Sequence, residues 1–263
     1  MKPACLQPDQ DYVAVNREGW AWLAAHECEA SVPYGAAQFR EARVRLDSRG
    51  WLPWCEIGSV LCLACGGGQQ GPLFASLGYK VTVADISPAQ LQKDMAVAHA
   101  FGMDIECVEA DMLDLSALHG RGFDLVYQAI SACYVPDVRR LYREVNATLR
   151  SAGLYCVEHW NPFHAQLAPG TAWDGEAYRL LYQQQPKRPV PWHSAGHAAP
   201  EPGTTCWHYI HPLHDLIGGL CDAGFRIERF SETAEWDTLA EPGSPAHVAR
   251  YVPPLLAVMA RRA

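Results

Sequence analysis

The chain opens on two stretches whose apolar positions recur with helical spacing, at about Val13–Ala30 and Ala36–Arg49. From residue 59 the pattern changes. Short runs of consecutive apolar residues alternate with amphipathic stretches, and an unbroken apolar run is what a strand buried on both faces requires. The runs are Ser59–Ala64, Lys80–Asp85, Ile105–Glu109, Asp124–Ile130 and Gly153–Trp160. Between them the spacing predicts helices from the glycine-rich turn to Leu77, from Ser87 to about Ala100, and from Asp137 to about Leu149. Ser87 and Gln90 read as a capping box with Pro88 at the first helical position, and Gly78 and Gly102 read as helix stops. This alternation specifies an α/β fold, a doubly wound parallel sheet with right-handed crossovers.

After residue 160 the rhythm breaks. Asn161 to about Tyr209 carries Pro162, Pro169, Pro186, Pro189, Pro191, Pro200 and Pro202 among Trp173, Trp192 and Trp207. A connection that long is expected to be functional. It reads as an inserted lid with one helix near Asp174–Gln184. The pattern returns with a helix over Pro212–Ala223, a strand over Phe225–Phe230 and a last strand over Arg250–Ala260, with Pro253-Pro254 at its edge. One domain over 1–263 is expected: a helical cap (1–57), a core (58–160), a lid (161–210) and a C-terminal part that completes the core (211–263).

Composition narrows the function. Hydrophobic residues make up 49% and charged residues 19%, which is enough apolar surface for a packed core. With 21 Lys+Arg against 29 Asp+Glu the net charge is −8 and the cations are scattered, so no nucleic-acid partner is expected. No apolar run approaches the ~20 residues of a membrane span. Lys2, Asp9 and Asp11 interrupt the start where a leader peptide would be apolar, so a cytoplasmic protein with no membrane partner is expected. The ten cysteines are then expected to be reduced, with Cys62, Cys107 and Cys156 packing in strands. Cys62-x-x-Cys65 has no second pair to complete a zinc site.

Gly66-x-Gly68-x-x-Gly71 follows the first strand and opens a helix, the setting in which glycines let a ligand approach backbone. Asp85 ends the second strand, where a carboxylate accepts hydrogen bonds from ribose hydroxyls. Nicotinamide and adenosyl cofactors both carry that ribose. Glu109-Ala110-Asp111-Met112 after the third strand, together with VLCLACGGG at 60–68 and FDLVYQAISACYVPD at 123–137, separates them. With these elements in this order, the chain resembles the class I S-adenosylmethionine-dependent methyltransferases over roughly residues 55–160 and again from 211 onward.

The resemblance implies a Rossmann-like, mostly parallel seven-stranded sheet, S-adenosylmethionine as cofactor, and in-line transfer of its methyl group to an O, N or S atom of a small-molecule acceptor. It implies that Ala64, Gly66, Gly68 and their backbone face the methionine part, that Asp85 with Ile86 holds the ribose, and that Asp111 and Met112 hold the adenine. Gln128 and Ser131 would line the methionine end or the acceptor. Asp111 as a helix N-cap and Gln128 as a strand-end amide are the plainer alternatives. The family begins its first motif with an acidic residue and has glycine two positions on; here Cys62 and Ala64 stand there. Gln69, Gln70 or a group from the N-terminal helices would take over at the cofactor's ammonium.

Candidate bases follow strands four and five: Tyr134, Glu158 and His159. Tyr34, between the first helices, is the candidate aromatic cover of the cofactor. Seven of the 11 histidines lie in 159–214, namely His159, His164, His193, His197, His208, His211 and His214. Prolines interrupt their helical spacing, so no metal site is expected; Trp160, Trp192 and His208 read instead as walls of an acceptor pocket. A nicotinamide-dependent oxidoreductase and a non-catalytic adenosyl-binding protein are the rival readings.

Overall fold

The computed structural model describes residues 11–26, 28–167, 173–180, 206–233 and 239–263, and the backbone alone of Val190–Trp192. Seven strands form one sheet: β1 (Ser59–Leu63), β2 (Lys80–Asp85), β3 (Ile105–Glu109), β4 (Phe123–Gln128), β5 (Leu149–Trp160), and, from the C-terminal part, β8 (Phe225–Thr233) and β9 (Leu255–Arg262). The order is β3-β2-β1-β4-β5-β9-β8, with β9 antiparallel to both neighbours. The strand order reverses between β1 and β4, and the crevice beyond the carboxyl ends of an open α/β sheet at such a point is where ligands bind.

Strand alternation builds two cores. Leu61 and Leu63 face one side with Val126, Tyr155 and Val157, under helix α6 (Val138–Thr148). Val60 and Cys62 face the other, with Val81, Val83 and Leu125, under α3 (Ala42–Leu46), α4 (Gln70–Ser76) and α5 (Pro88–Phe101). The buried Cys62 and Cys65 are free thiols, and burial pushes both well above the ordinary thiol range, Cys65 to about 12.

Several boundaries differ from the sequence expectation. The first helix, α1 (Tyr12–Ala25), stops before a 3-10 turn at Glu29–Ser31. The second is broken into α2 (Ala36–Phe39) and α3, and Asp47 ends α3 by accepting the amides of Trp51 and Leu52. The capping box at Ser87 does not form: Gln90 Nε2 donates to Trp20 O and Ser31 Oγ, and Asp85 accepts the Ser87 amide. Arg250 belongs not to a strand but to α9 (Pro245–Tyr251), which Ser244 caps by accepting the His247 amide. Over residues 173–180 there is no helix; Asp174 instead folds a turn by accepting the amides of Glu176 and Ala177, and 181–184 lie outside the described residues.

Beyond β5 come α7 (Pro162–Ala165) and a separate antiparallel pair, β6 (Val190–Trp192) with β7 (Cys206–His208). The expected helix after it begins as a π-turn, His214–Gly218, and continues as α8 (Gly219–Asp222). Among the described residues no helix is long and apolar enough to cross a membrane.

Candidate functional site

The loop leaving β1 is built from unusual backbone. Gly67 and Gly68 have φ of 112° and 76°, and Ala64 has φ of 48°, in the left-handed region where a Cβ is unfavourable. Asp85 braces this loop to the end of β2: one carboxylate oxygen accepts from Gly66 N at 3.0 Å and the other from Ser87 N at 2.9 Å. Gly66 is required here by close packing, since a Cβ would come within 2.6 Å of Gln90 Cβ and 2.9 Å of Asp85 Oδ2. Burial pushes the Asp85 carboxyl up to about 6, against the opposing pull of its backbone donors.

Above the loop lies a cavity of about 360 Å³, within the size range of small-ligand sites. Ala64, Cys65, Gly66, Gln69 and Gln70 line one part, Asp85 and Ile86 the end of β2, and Asp111 and Met112 the end of β3. Ser131 and Tyr134 follow β4, and Glu158 comes from β5, on the far side of the sheet order from Asp111. Arg45 lines the cavity too, and Arg49 pairs with Glu158 at 2.7 Å.

Helix α1 forms the roof. Tyr12, Asn16 and Trp20 recur every fourth residue, so they share one helix face, and all three line the cavity. Tyr12 Oη donates to Asp111 Oδ2 at 2.5 Å, and that carboxylate together with burial raises the phenol's pKa further. Asn16 Nδ2 donates to Tyr134 O at 2.9 Å, and Asn16 Oδ1 accepts from Trp207 N at 2.6 Å. Arg17 Nε donates to Ile86 O at 3.1 Å. The Trp20 ring meets Tyr134 edge-on at 5.3 Å.

Of the residues singled out from the sequence, Ala64, Gly66, Gln69, Gln70, Asp85, Ile86, Asp111, Met112, Ser131 and Tyr134 line this cavity. Asp111 also accepts the Leu113 amide at 3.0 Å, a turn-closing bond compatible with either of its expected roles. Gln69 ties the N-terminal segment down, its Nε2 donating to Glu29 O and Val32 O, both at 2.9 Å. Burial pushes the Tyr134 phenol well above its ordinary value, so it stays protonated at neutral pH.

Other candidates lie elsewhere. Tyr34 does not line the cavity; its amide donates to Gly68 O at 2.9 Å and Arg45 stacks over its ring. The aromatic rings that reach the cavity from the N-terminal segment are those of Tyr12 and Trp20. The Gly68 amide points away from the cavity lining, into a carboxylate on α5. Gln128 is a satisfied strand-end amide: Tyr155 Oη donates to its carbonyl, and its Nε2 donates to Ser131 Oγ at 2.9 Å.

His159 also lies outside the main cavity, because successive residues of β5 face opposite sides and Glu158 takes the cavity side. Its Nε2 meets Tyr142 Oη at 3.2 Å, and Tyr142 in turn donates to Leu216 O. His159, Trp160 and His208 line a second, far smaller hole of about 10 Å³ beside Cys133 and His211. Burial pushes His159 down to about 3 and both His208 and His211 to about 4, so all three are neutral. The side chain of Trp192, like His193 and His197, lies outside the described residues. Among the described residues no three His, Cys, Asp or Glu side chains are grouped to hold a metal.

The donor set suits an adenosyl cofactor. Asp85 and Asp111 end neighbouring strands and offer acceptors to hydroxyls and an amine. Ile86 and Met112 follow them as apolar flanks, and Arg45 and Glu158 put opposite charges on the cavity wall. Sequence reasoning missed Tyr12, Asn16, Trp20 and Arg45. The first three carried a signal in their spacing of four, with a polar asparagine on an otherwise aromatic face.

Comparison with known proteins agrees with this geometry. A family model described as a methyltransferase domain matches residues 61–157, from β1 to β5. The S-adenosylmethionine-dependent methyltransferase from Mesorhizobium loti is similar in structure, with a TM-score of 0.57 and 25% identity, over 87% of this chain and 99% of that one. Geranyl diphosphate C-methyltransferase from Streptomyces coelicolor A3(2) shares the fold, with a TM-score of 0.60 and 16% identity, over 98% of this chain and 100% of that one. The protein named uncharacterized methyltransferase YbaJ, from Bacillus subtilis (strain 168), is 32% identical over 197 residues, 69% of this chain and 71% of that protein. Identity at that level over most of both chains reaches beyond shared fold, and the chain belongs to the class I S-adenosylmethionine-dependent methyltransferases.

Proposed function

We propose that this methyltransferase acts on a small-molecule acceptor, at an oxygen, nitrogen or sulfur atom, and not on nucleic acid. The observation that carries this reading is the roof. Helix α1 spans the cavity and is pinned on both sides of it, to Asp111 and Ile86 through Tyr12 and Arg17 and to Tyr134 and Trp207 through Asn16. A duplex or a folded surface calls for an open groove, and the roof across this cavity leaves none.

In this reading Asp85 accepts from the ribose hydroxyls and Asp111 from the adenine amine, with Met112 and Ile86 against the ring. Gln69, Gln70, Arg45 and the backbone at Ala64–Gly66 hold the amino acid end. S-adenosylmethionine, when bound, supplies an activated methyl group open to in-line attack. The chain's own part is then alignment and exclusion of water, and aligning two reactants is worth about 7–11 kcal/mol. Tyr134, protonated, orients the acceptor as a hydrogen-bond donor, with Ser131 beside it. Glu158 is the carboxylate in the cavity able to take a proton from an acceptor that arrives protonated. His159 is a packing residue in this scheme.

The test is methyl transfer from radiolabelled S-adenosylmethionine to three substrate sets: small phenols, amines and thiols; total nucleic acid; and a protein lysate. Label in small molecules is expected. Label confined to macromolecules refutes the reading. With any small acceptor in hand, Glu158→Gln is expected to lower turnover, while His159→Ala leaves turnover within about threefold and lowers stability.

A further inference from the structure

Helix α5 carries a carboxylate that nothing so far has used. Asp94 is fully buried, with 0% of its surface exposed. Its Oδ2 accepts from Gly67 N at 2.9 Å and from Gly68 N at 3.1 Å. Two consecutive N–H groups of residues with positive φ, converging on one oxygen, form an anion-binding nest, the arrangement that elsewhere grips a phosphate. Here the protein's own side chain fills the nest from beneath the loop. The Gly67 amide is shared with Gln90 O at 3.1 Å, so Asp94 is the one side chain that holds both amides.

We propose that Asp94 is the positioning carboxylate of the cofactor loop, fixing the left-handed turn at Gly67 and Gly68 so that Ala64–Gly66 present their backbone to S-adenosylmethionine. The approach needs the last glycine of the loop motif. A Cβ at Gly71 would lie 2.5 Å from Val83 Cγ2 and 3.1 Å from Asp94 Oδ1, so a side chain there would displace either the strand contact or the carboxylate. Position 62, on the strand beneath, holds a buried thiol that cannot serve as an acceptor of comparable strength.

The surroundings fit a loop anchor rather than an ion pair. Cys62 on β1, Cys65 in the loop, Asp85 on β2 and Cys107 on β3 feel the Asp94 charge or act on it, and none is a cation. Lys93, its neighbour on α5, donates instead to Ser31 O at 2.5 Å. Among the described residues Asp94 Oδ1 has no hydrogen-bond partner. Burial accordingly pushes the carboxyl up to about 7, so it loses its proton only near neutrality. The amides of Gly67 and Gly68 are what make the ionised form tolerable there.

Two variants with the same number of side-chain heavy atoms separate anchoring from filling. Asp94→Asn keeps an oxygen for the two amides, and Asp94→Leu removes it. With calorimetry on S-adenosylhomocysteine, Asp94→Leu is expected to weaken binding about tenfold or more, while Asp94→Asn stays within about threefold of the natural protein. Equal binding by Asp94→Leu and the natural protein overturns the proposal, as does Asn binding no better than Leu. Amide hydrogen exchange at Gly67 and Gly68 without ligand tests it even where the Leu variant does not fold. Both amides are expected to be protected at pH 8 in the natural protein, and exchange there as fast as in an open loop also overturns the proposal. The inference rests on adenosyl-cofactor binding, and failure of the natural protein to bind S-adenosylhomocysteine sinks that premise while the exchange result still judges the loop.

Discussion

At the scale of the residue, the loop after β1 shows how one substitution is tolerated. Ala64 sits at φ 48°, and its amide donates to Ala84 O at 2.7 Å, so the strand-end hydrogen bond holds it in a conformation its Cβ resists. An alanine held at positive φ is less stable than glycine by about 1 kcal/mol after the greater freedom of unfolded glycine is counted. Ala64→Gly is therefore expected to raise the melting temperature by about 2–4 °C, the shift that such a gain gives in a domain of this size; a lower melting temperature would show that the turn is not strained. Asp85 makes a second residue-level prediction. Its carboxyl titrates at about 6, and only the ionised form accepts from two hydroxyls. The affinity for S-adenosylhomocysteine should fall about tenfold per pH unit below 6 and level off above 7, and a flat profile from pH 5 to pH 8 would remove Asp85 from the ribose. Asp85, Asp111 and Met112 were legible because each stands at a fixed offset from a strand end. Asp94 was not, because its role depends on amides 26 and 27 residues away that come together only when α5 packs under the loop.

At the scale of the element, α1 is the part that turns an open crevice into a covered one. The strands were legible from their apolar runs, and the sheet is the seven-stranded, mostly parallel one expected. The cap was legible only as helix, since where α1 lies is fixed by contacts with segments far along the chain. Asn16 is the joint. It reaches Tyr134 O across 118 residues and Trp207 N across 191, tying α1 to the turn after β4 and to β7. Gly19 allows the approach, for a Cβ there would lie 2.6 Å from Cys206 Sγ. Asn16→Leu removes the partner of the Trp207 N–H and of the Tyr134 and Trp207 carbonyls, and each buried group left unpaired costs about 1–3 kcal/mol. In amide exchange the variant should open α1 and Cys206–His208 together while β1, β2 and β4 keep their protection. If α1 alone loosens, or the whole sheet does, Asn16 is not what couples roof and hairpin.

At the scale of the whole molecule, buried titratable groups set how stability depends on pH. Asp85 and Asp94 have their carboxyls raised to about 6 and about 7, so between about pH 4 and 7 the folded chain binds protons there that the unfolded chain has released. By linkage these two groups favour folding most at low pH, and that contribution is lost as pH rises through 6 and 7. His159, His208 and His211 act in the opposite sense. Held down to about 3, 4 and 4, they stay neutral in the fold while the unfolded chain protonates them below about 6.5, so they disfavour folding increasingly as pH falls. Three histidines outweigh two carboxyls on the acid side, and above about pH 7 the last protons on the unfolded histidines and those on the folded carboxyls nearly cancel. Stability should therefore rise from acid pH to about pH 7 and stay nearly level toward pH 8, each group contributing at most about 1.4 kcal/mol per pH unit where it titrates. Asp94→Asn cannot ionise, so its melting temperature should rise over pH 6.5–8 where that of the natural protein stays nearly level. Parallel curves for the two proteins across that window would show that Asp94 is already ionised at pH 6.5, and that the glycine loop stabilises its charge far more than burial opposes it.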